Sequence, residues 1–508
     1  MWRSAAAAAP GLRPLAAHAR GLTSTARMVR DLIAELPASR CPWHGAGCSG
    51  RHASTTPPST DYAFEMASST IRFGEGVTAE VGADLALLRA KRVMVFSDEA
   101  IAALPNGPLA RVLASMARAG LSPHVYTAVG VEPTDSTLAA AIAEAKAYGA
   151  DAYVAVGGGS VMDTAKAANL YASHPSAAFL DFVNAPIGRG LPVPGPVKPL
   201  IAIPTTAGTG SETTGVSIFD LTAANAKTGI ASRIIKPTLG LVDPQNTASC
   251  PPSVAAAAGF DVLCHALESY TALPYSSRSP RPPSPALRPA YQGANPLSDV
   301  WSTYALRLIA KYFVRSVQDR GDSEANAAMT LAATSAGIGF GSAGVHLAHG
   351  MSYAISGLNR TYVHPGYERL GKPLVPHGIS VVLGAPAVFR RTAHTNPARH
   401  AEAARILAGE NPPVTVALGG GGAASGACAR SDADALDAGA RLAEQLQRYM
   451  LALNVPNGLG SMGFERAQVE GMVEATLPQR RVLALAPSED CASAQALAEM
   501  FCESFTVY

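Results

Sequence analysis

Between Lys91 and Glu212 the chain alternates short apolar runs with longer Ala-rich stretches. "KRVMVFSD", "LSPHVYTAV", "DAYVAVGGGS" and "PLIAIPTTAGTGSE" read as strands, and "GPLARVLASMARAG", "DSTLAAAIAEAKAYG" and "VMDTAKAANLYAS" as helices. Strands with apolar side chains at successive positions must be covered on both faces, which a parallel sheet flanked by helices achieves. Such a sheet takes its ligands at the carboxyl ends of its strands. Strand structure is expected to begin near "TDYAFEMASSTIRFGEG". After "LGLVDPQNT" the pattern becomes helical throughout, as in "SVAAAAGFDVLCHALESYTAL" and "DVWSTYALRLIAKYFVRSV". The expected architecture is an α/β domain over residues 56–245, a parallel sheet with helices on both faces, followed by an all-helical domain over 246–508.

At 508 residues and 48% hydrophobic the chain can bury a large core in more than one domain. A net charge of +2, with no basic cluster interleaved with aromatics, excludes a nucleic-acid groove. No apolar run reaches the roughly 18 residues that a membrane span requires. Arg3, Arg13, Arg20, Arg27 and Arg30 all precede the first acidic residue, Asp31, in an Ala- and Ser-rich setting. That is the pattern of a mitochondrial transit peptide, expected over residues 1–55, with the matrix as destination. The seven cysteines form no CxxC pair, so neither a disulfide framework nor a zinc ribbon is expected. Cys41, His44 and Cys48 fall in the leader and take no metal role. A Pro-rich excursion, "PYSSRSPRPPSPALRPAYQGANP", and a Gly/Ala run, "LGGGGAASGACARSD", interrupt the helical half, the second reading as a flexible loop.

Two loops at strand ends carry binding chemistry. "YVAVGGGSVMDTAK" closes a strand with Gly157, Gly158 and Gly159 and opens a helix at Ser160. Backbone N–H groups free of side chains, at a helix N-terminus, suit a pyrophosphate. A tight turn in which Ser160 caps the helix and Asp163 closes a capping box is the plainer reading, and the two are compatible. "PTTAGTGSETTG" sets Thr205, Thr206, Thr209 and Ser211 around Gly208 and Gly210 at the next strand end. Neither loop matches the G-x-G-x-x-G fingerprint, and Asp98, the strand-end acid, precedes the glycines instead of following them.

In "GFDVLCHALESY", Asp261 and His265 stand one helical turn apart on one face. Further imidazoles come from "GVHLAHGMSY", with His346 and His349, and "PLVPHGISVVL", with His377. One carboxylate and three imidazoles would hold a divalent metal with a position open to a substrate oxygen. His349 and His377 are each followed by Gly, which lets a backbone pass close to another helix or a cofactor.

Taken in order, "GGGSVMDTAK", "PTTAGTGSE", "GFDVLCHALE", "HGMSY" and "VPHGIS" resemble the iron-containing (group III) alcohol dehydrogenase family, over roughly residues 62–508. The resemblance implies a dehydroquinate-synthase-like fold with the metal in the helical domain. It implies Asp261, His265, His349 and His377 as metal ligands, with His346 in the outer shell or core. Gly157, Gly158, Gly159, Ser160, Asp163, Thr205, Thr206 and Thr209 match its cofactor loops, and Asp98 its ribose-binding acid, favouring NAD over NADP because a carboxylate repels a 2′-phosphate. Tyr353 stands where many relatives carry a histidine close to the nicotinamide. Lys166 is expected either to pair with Asp163 or to face the substrate. "TDYAFEMA", "VEPTDS", "KAANLYAS" and "RPAYQG" are similar to a mitochondrial member that exchanges hydride between a hydroxyacid and an oxoacid. That likeness implies tightly bound NAD(H), Fe(II) or else Zn(II), and oxidation of 4-hydroxybutyrate coupled to reduction of 2-oxoglutarate. An ordinary NAD-linked, metal-dependent alcohol dehydrogenase is the nearest alternative; a lyase and a non-catalytic homologue stand further off. Anionic substrates need a cation, and Arg278, Arg281 and Arg288 of the Pro-rich excursion are the expected candidates. Expected partners are the small hydroxyacid and oxoacid and a second copy of the chain, with no nucleic acid or membrane.

Overall fold

The computed structural model describes residues 60–222, 226–412 and 432–508. The expected leader at 1–55 and the Gly/Ala run at 419–426 lie outside the described residues. The strands are β1 (Thr70–Phe73), β2 (Val93–Phe96), β3 (His124–Tyr126), β4 (Ala152–Gly157), β5 (Leu200–Pro204), β6 (Val216–Leu221), β7 (Ala226–Ala231) and β8 (Leu239–Val242). Six of them form one sheet in the order β1-β8-β5-β4-β2-β3, with every pairing parallel.

Successive side chains of a strand point to opposite faces, and here both faces are apolar. Val93, Val95, Val154, Val156, Ile201 and Ile203 share a core with α1 (Val81–Leu87) and α2 (Pro108–Arg118). The intervening Met94, Phe96, Tyr153, Ala155, Leu200 and Ala202 share another with α3 (Asp135–Tyr148) and α4 (Gly159–Ser173). Each fully buried Val, Ile or Leu removes enough apolar area from water to contribute about 1.5–3 kcal/mol. The carboxyl ends of β2, β4 and β5 fall side by side, with Phe96 opposite Ala155 and Gly157 opposite Pro204.

The antiparallel hairpin β6–β7 is an element that the sequence reading lacks. Its strands alternate poorly, and what holds them is remote. Phe219 packs with Leu170 and Tyr171 of α4. Lys227 is buried between Asp220 on the paired strand, at 3.0 Å, and Glu132, at 3.1 Å, almost a hundred residues earlier in the chain.

From Pro252 onward the chain is helical: α5 (Pro252–Thr271), α6 (Pro296–Gln318), α7 (Ser323–Ala343), α8 (Leu347–Leu358), α9 (His377–Thr392), α10 (Pro397–Leu407), α11 (Asp432–Ala452), α12 (Val469–Thr476) and α13 (Ala494–Glu503), with shorter turns between. α5 runs through the centre, with Phe260, Leu263, Leu267 and Tyr270 fully buried. A helix buried all round has no solvated stripe. Its polar residues Asp261, His265 and Glu268, also buried, therefore need partners within the protein.

Candidate active site

Those partners come from the starts of two other helices. His349 lies in the first turn of α8, and His377 is the first residue of α9. Asp261 Oδ1 lies 3.5 Å from His265 Nε2, 3.4 Å from His349 Nε2 and 3.7 Å from His377 Nε2. Asp261 Oδ1 and His349 Nε2 are nonetheless buried without a hydrogen-bond partner. Donors about 2.0–2.1 Å from one tetrahedral ion are separated by about 3.4 Å, so a single divalent cation satisfies the orphaned atoms together. Asp261, His265 and His349 offer donor atoms that all lie within 4.8 Å of one another and fit the metal that the motifs imply, while His377 stands beside them at Asp261.

The electrostatics agree. Burial pushes His265 down to about 3, so its imidazole is neutral and its lone pair is available at physiological pH. For Asp261, burial works against ionisation, but His265, His377 and His349 outweigh it and hold the carboxylate well below its usual range. For His349, burial would likewise favour the neutral form, yet the carboxylates of Glu268 and Asp261 prevail and push it up to about 9. A group raised in this way stabilises the metal-free fold fully below the ordinary histidine value and loses that contribution as pH climbs through about 9. Metal requires the unprotonated nitrogen. Metal uptake at neutral pH is therefore expected to release about one proton and to tighten towards pH 9, which calorimetric titrations in buffers of different ionisation enthalpy will show.

Glu268 is a functional residue that sequence reasoning missed. Its Oε2 accepts from His349 Nδ1, and its Oε1 accepts from the backbone N–H of Ala348 at 2.8 Å and of His346 at 3.1 Å. This fixes the tautomer and turns His349 Nε2 towards Asp261, as outer carboxylates do for metal-bound histidines. The signal was present, since Glu268 follows Asp261 and His265 at helical spacing on the same face. Glu268→Gln is expected to weaken metal binding about 10- to 100-fold, measured against a metal buffer; unchanged affinity would mean that something else orients His349. His346 sits behind this carboxylate, fully buried, with its Nε2 3.0 Å from Thr271 Oγ1. Aromatic rings complete the lining: Phe340 stacks on His265 at 3.9 Å and Tyr353 on His377 at 6.3 Å.

The two glycine loops meet at the strand ends. A Cβ on Gly159 would stand 2.6 Å from Thr209 Cγ2, and one on Gly158 3.4 Å from Thr206 Oγ1, so the loops touch only because the first lacks side chains. Thr205 N–H donates to Gly157 O at 3.1 Å. The helix cap is Gly158, which replaces the expected Ser160–Asp163 capping box. Ser160 Oγ instead accepts from Glu132 N–H at 3.1 Å. Asp163 accepts from Ser211 Oγ at 2.7 Å and from Ile218 N–H at 2.9 Å, so its carboxylate ties the two loops together. Asp98 lies just past β2, half-buried, with Oδ1 accepting from Ile101 N–H at 2.8 Å.

Family models agree with this arrangement. "Iron-containing alcohol dehydrogenase" matches residues 68–244, and the C-terminal model of the Fe-containing alcohol dehydrogenase family matches 290–493. The chain belongs to the iron-containing alcohol dehydrogenase family. The rat protein named hydroxyacid-oxoacid transhydrogenase, mitochondrial, is 52% identical over 472 residues, covering 93% of this chain and 96% of its own. The human protein of the same name is 50% identical over 495 residues, covering 97% and 100%. An iron-containing alcohol dehydrogenase from Thermococcus thioreducens shares the fold with a TM-score of 0.68 at 26% identity, covering 87% of this chain and 99% of its own. The family and its fold imply NAD(H) and a metal.

Four cations, Lys166 and the three arginines of the Pro-rich excursion, are engaged within the protein. Lys166 is buried, with its ammonium on Ser211 Oγ at 2.5 Å and Val216 O at 2.9 Å and with Asp163 at 3.6 Å, which leaves no face for a substrate. Arg288 donates to Asp61 at 2.9 Å, and Arg278 lies 3.9 Å from the same carboxylate. Arg281 stacks over Tyr62 at 4.0 Å. The Pro-rich excursion thus clamps the chain at Asp61 and Tyr62, and the three arginines expected to meet a substrate carboxylate are held there. Asp61 demands this pairing because it is itself buried.

Proposed function

We propose that this enzyme is a mitochondrial hydroxyacid-oxoacid transhydrogenase that oxidises 4-hydroxybutyrate to succinic semialdehyde and reduces 2-oxoglutarate to 2-hydroxyglutarate. One NAD(H) that stays bound serves both halves. The observation that carries the reading is 50–52% identity to proteins of that name along 93–97% of the chain. The electron count closes, since the two hydrogens lost by the alcohol are the two gained by the ketone.

Asp261, His265, His349 and His377 would hold the metal, with Glu268 presenting His349. When bound, the metal supplies Lewis acidity at the substrate oxygen and the nicotinamide stores the hydride between the two halves. Three imidazoles and a carboxylate suit Fe(II), and Zn(II) would accept the same set. Gly157, Gly158, Gly159 and Ser160 would receive the pyrophosphate on backbone N–H groups, with Thr205, Thr206 and Thr209 closing the opposite side. Asp98 would accept from the adenosine ribose hydroxyls. Asp163 keeps the loops in register, and Phe340 and Tyr353 line the site beside His265 and His377.

The test is hydride exchange without free nicotinamide. Metal-loaded protein given 4-hydroxybutyrate and 2-oxoglutarate is expected to form succinic semialdehyde and 2-hydroxyglutarate one for one over many turnovers. Product that appears only with added NAD, with NADH accumulating in solution, would instead mark a conventional dehydrogenase.

A further inference from the structure

With Lys166, Arg278 and Arg288 engaged, and Lys227 neutralised by Glu132 and Asp220, a substrate carboxylate needs another cation. Arg481, in the short helical turn Arg480–Leu483, supplies one. Its guanidinium lies 4.7 Å over the Tyr291 ring, and Nη2 reaches Tyr353 Oη at a long 3.5 Å. Nη1 is buried without a hydrogen-bond partner, and among the described residues Arg481 makes no salt bridge. A guanidinium carries five donors that match a carboxylate two at a time, so a sealed, unmatched edge is costly unless an anion completes it.

Both rings that hold Arg481 lead to the metal cluster. Tyr353 stacks on His377. Tyr291 meets Phe340 edge-on at 6.3 Å, and Phe340 stacks on His265. Arg481 and Tyr353 line one cleft with Asn184, Thr228 and Gln479, and Gln479 fastens the turn to the sheet half by donating to Lys227 O at 3.0 Å.

We propose that Arg481 anchors the carboxylate remote from the reacting carbon in both substrates, an assignment that rests on the transhydrogenase reading of this site. The chemistry of the pair supports one shared anchor. In 4-hydroxybutyrate the carbinol carbon is three bonds from the carboxylate carbon; in 2-oxoglutarate the keto carbon is three bonds from the distal carboxylate carbon. One cation at a fixed distance from the metal cluster therefore places either reacting carbon at the same point. A site that must pass hydride from one acid to the other needs that coincidence.

The variants are Arg481→Gln and Arg481→Lys, each loaded with metal and cofactor. The readouts are KM for both acids, turnover of 1,4-butanediol (the uncharged analogue of 4-hydroxybutyrate), calorimetric binding of 2-oxoglutarate, metal content and Tm. Arg481→Gln is expected to raise both KM values and weaken 2-oxoglutarate binding about 10- to 100-fold. Turnover of the diol, metal content and Tm should hold, and Arg481→Lys should recover part of the loss. Equal losses for diol and acids, or unchanged binding of 2-oxoglutarate, would overturn the assignment. If the wild-type enzyme exchanges no hydride without free nicotinamide, the transhydrogenase reading fails separately, and the binding comparison still decides the role of Arg481. Wild-type protein that binds no 2-oxoglutarate overturns both.

Discussion

Asp261→Ala is expected to yield a folded protein that holds no metal and whose hydride exchange falls at least about 1,000-fold, the loss of several kcal/mol of Lewis-acid stabilisation. Asp261 Oδ1 is the atom that His265, His349 and His377 all face within 3.7 Å, so its removal takes away the one carboxylate that stands between the three imidazoles and leaves only Glu268 behind His349. Elemental analysis of the purified variant and a single-turnover assay test this together. Full metal occupancy in Asp261→Ala would mean that the cluster is not the metal site. Asp261→Asn, which keeps an oxygen donor but not the charge, should retain metal weakly.

Gly378→Ala is expected to cost about 3 kcal/mol of stability, the upper end for overpacking, and to weaken metal binding as well. An added Cβ would stand 1.9 Å from Ala257 O and 2.8 Å from Asp261 N, both backbone atoms of α5 that cannot turn aside. The start of α9 must therefore retreat and take His377 with it. Gly350, the other glycine directly after a histidine of the cluster, makes the contrast. There an added Cβ meets the Leu483 side chain at 3.1 Å and Val482 at 3.4 Å, which can give way, so Gly350→Ala should cost under about 1 kcal/mol. Thermal unfolding of the two variants, with metal content, measures the difference.

The parallel sheet was legible because β2, β4 and β5 are apolar at every position and lie between helical patterns, a combination with few other solutions. The hairpin β6–β7 was not, because Lys227 finds Glu132 only in three dimensions. The residues that gather around Asp261 could be read from spacing and resemblance, whereas Glu268 escaped notice although it completes the same helical face. The pairing of the arginines of the Pro-rich excursion was not legible for a physical reason. Proximity in sequence to α5 suggested the site, but Arg288 pairs with Asp61, 227 residues away, and that contact leaves no periodic trace in the chain. Arg481 carries no signal at all in "QRRVLALA", since only its unmatched donors and the rings around it distinguish it from its neighbour.

The central claim is that one bound nicotinamide carries hydride from hydroxyacid to oxoacid, and isotope transfer tests it most directly. Supply 4-hydroxybutyrate deuterated at the carbinol carbon, 2-oxoglutarate and a large excess of unlabelled NADH, then read deuterium at the carbinol carbon of 2-hydroxyglutarate. Label arriving undiluted is the predicted result. Label diluted in proportion to the added NADH would contradict it, because the cofactor would then leave between the two halves.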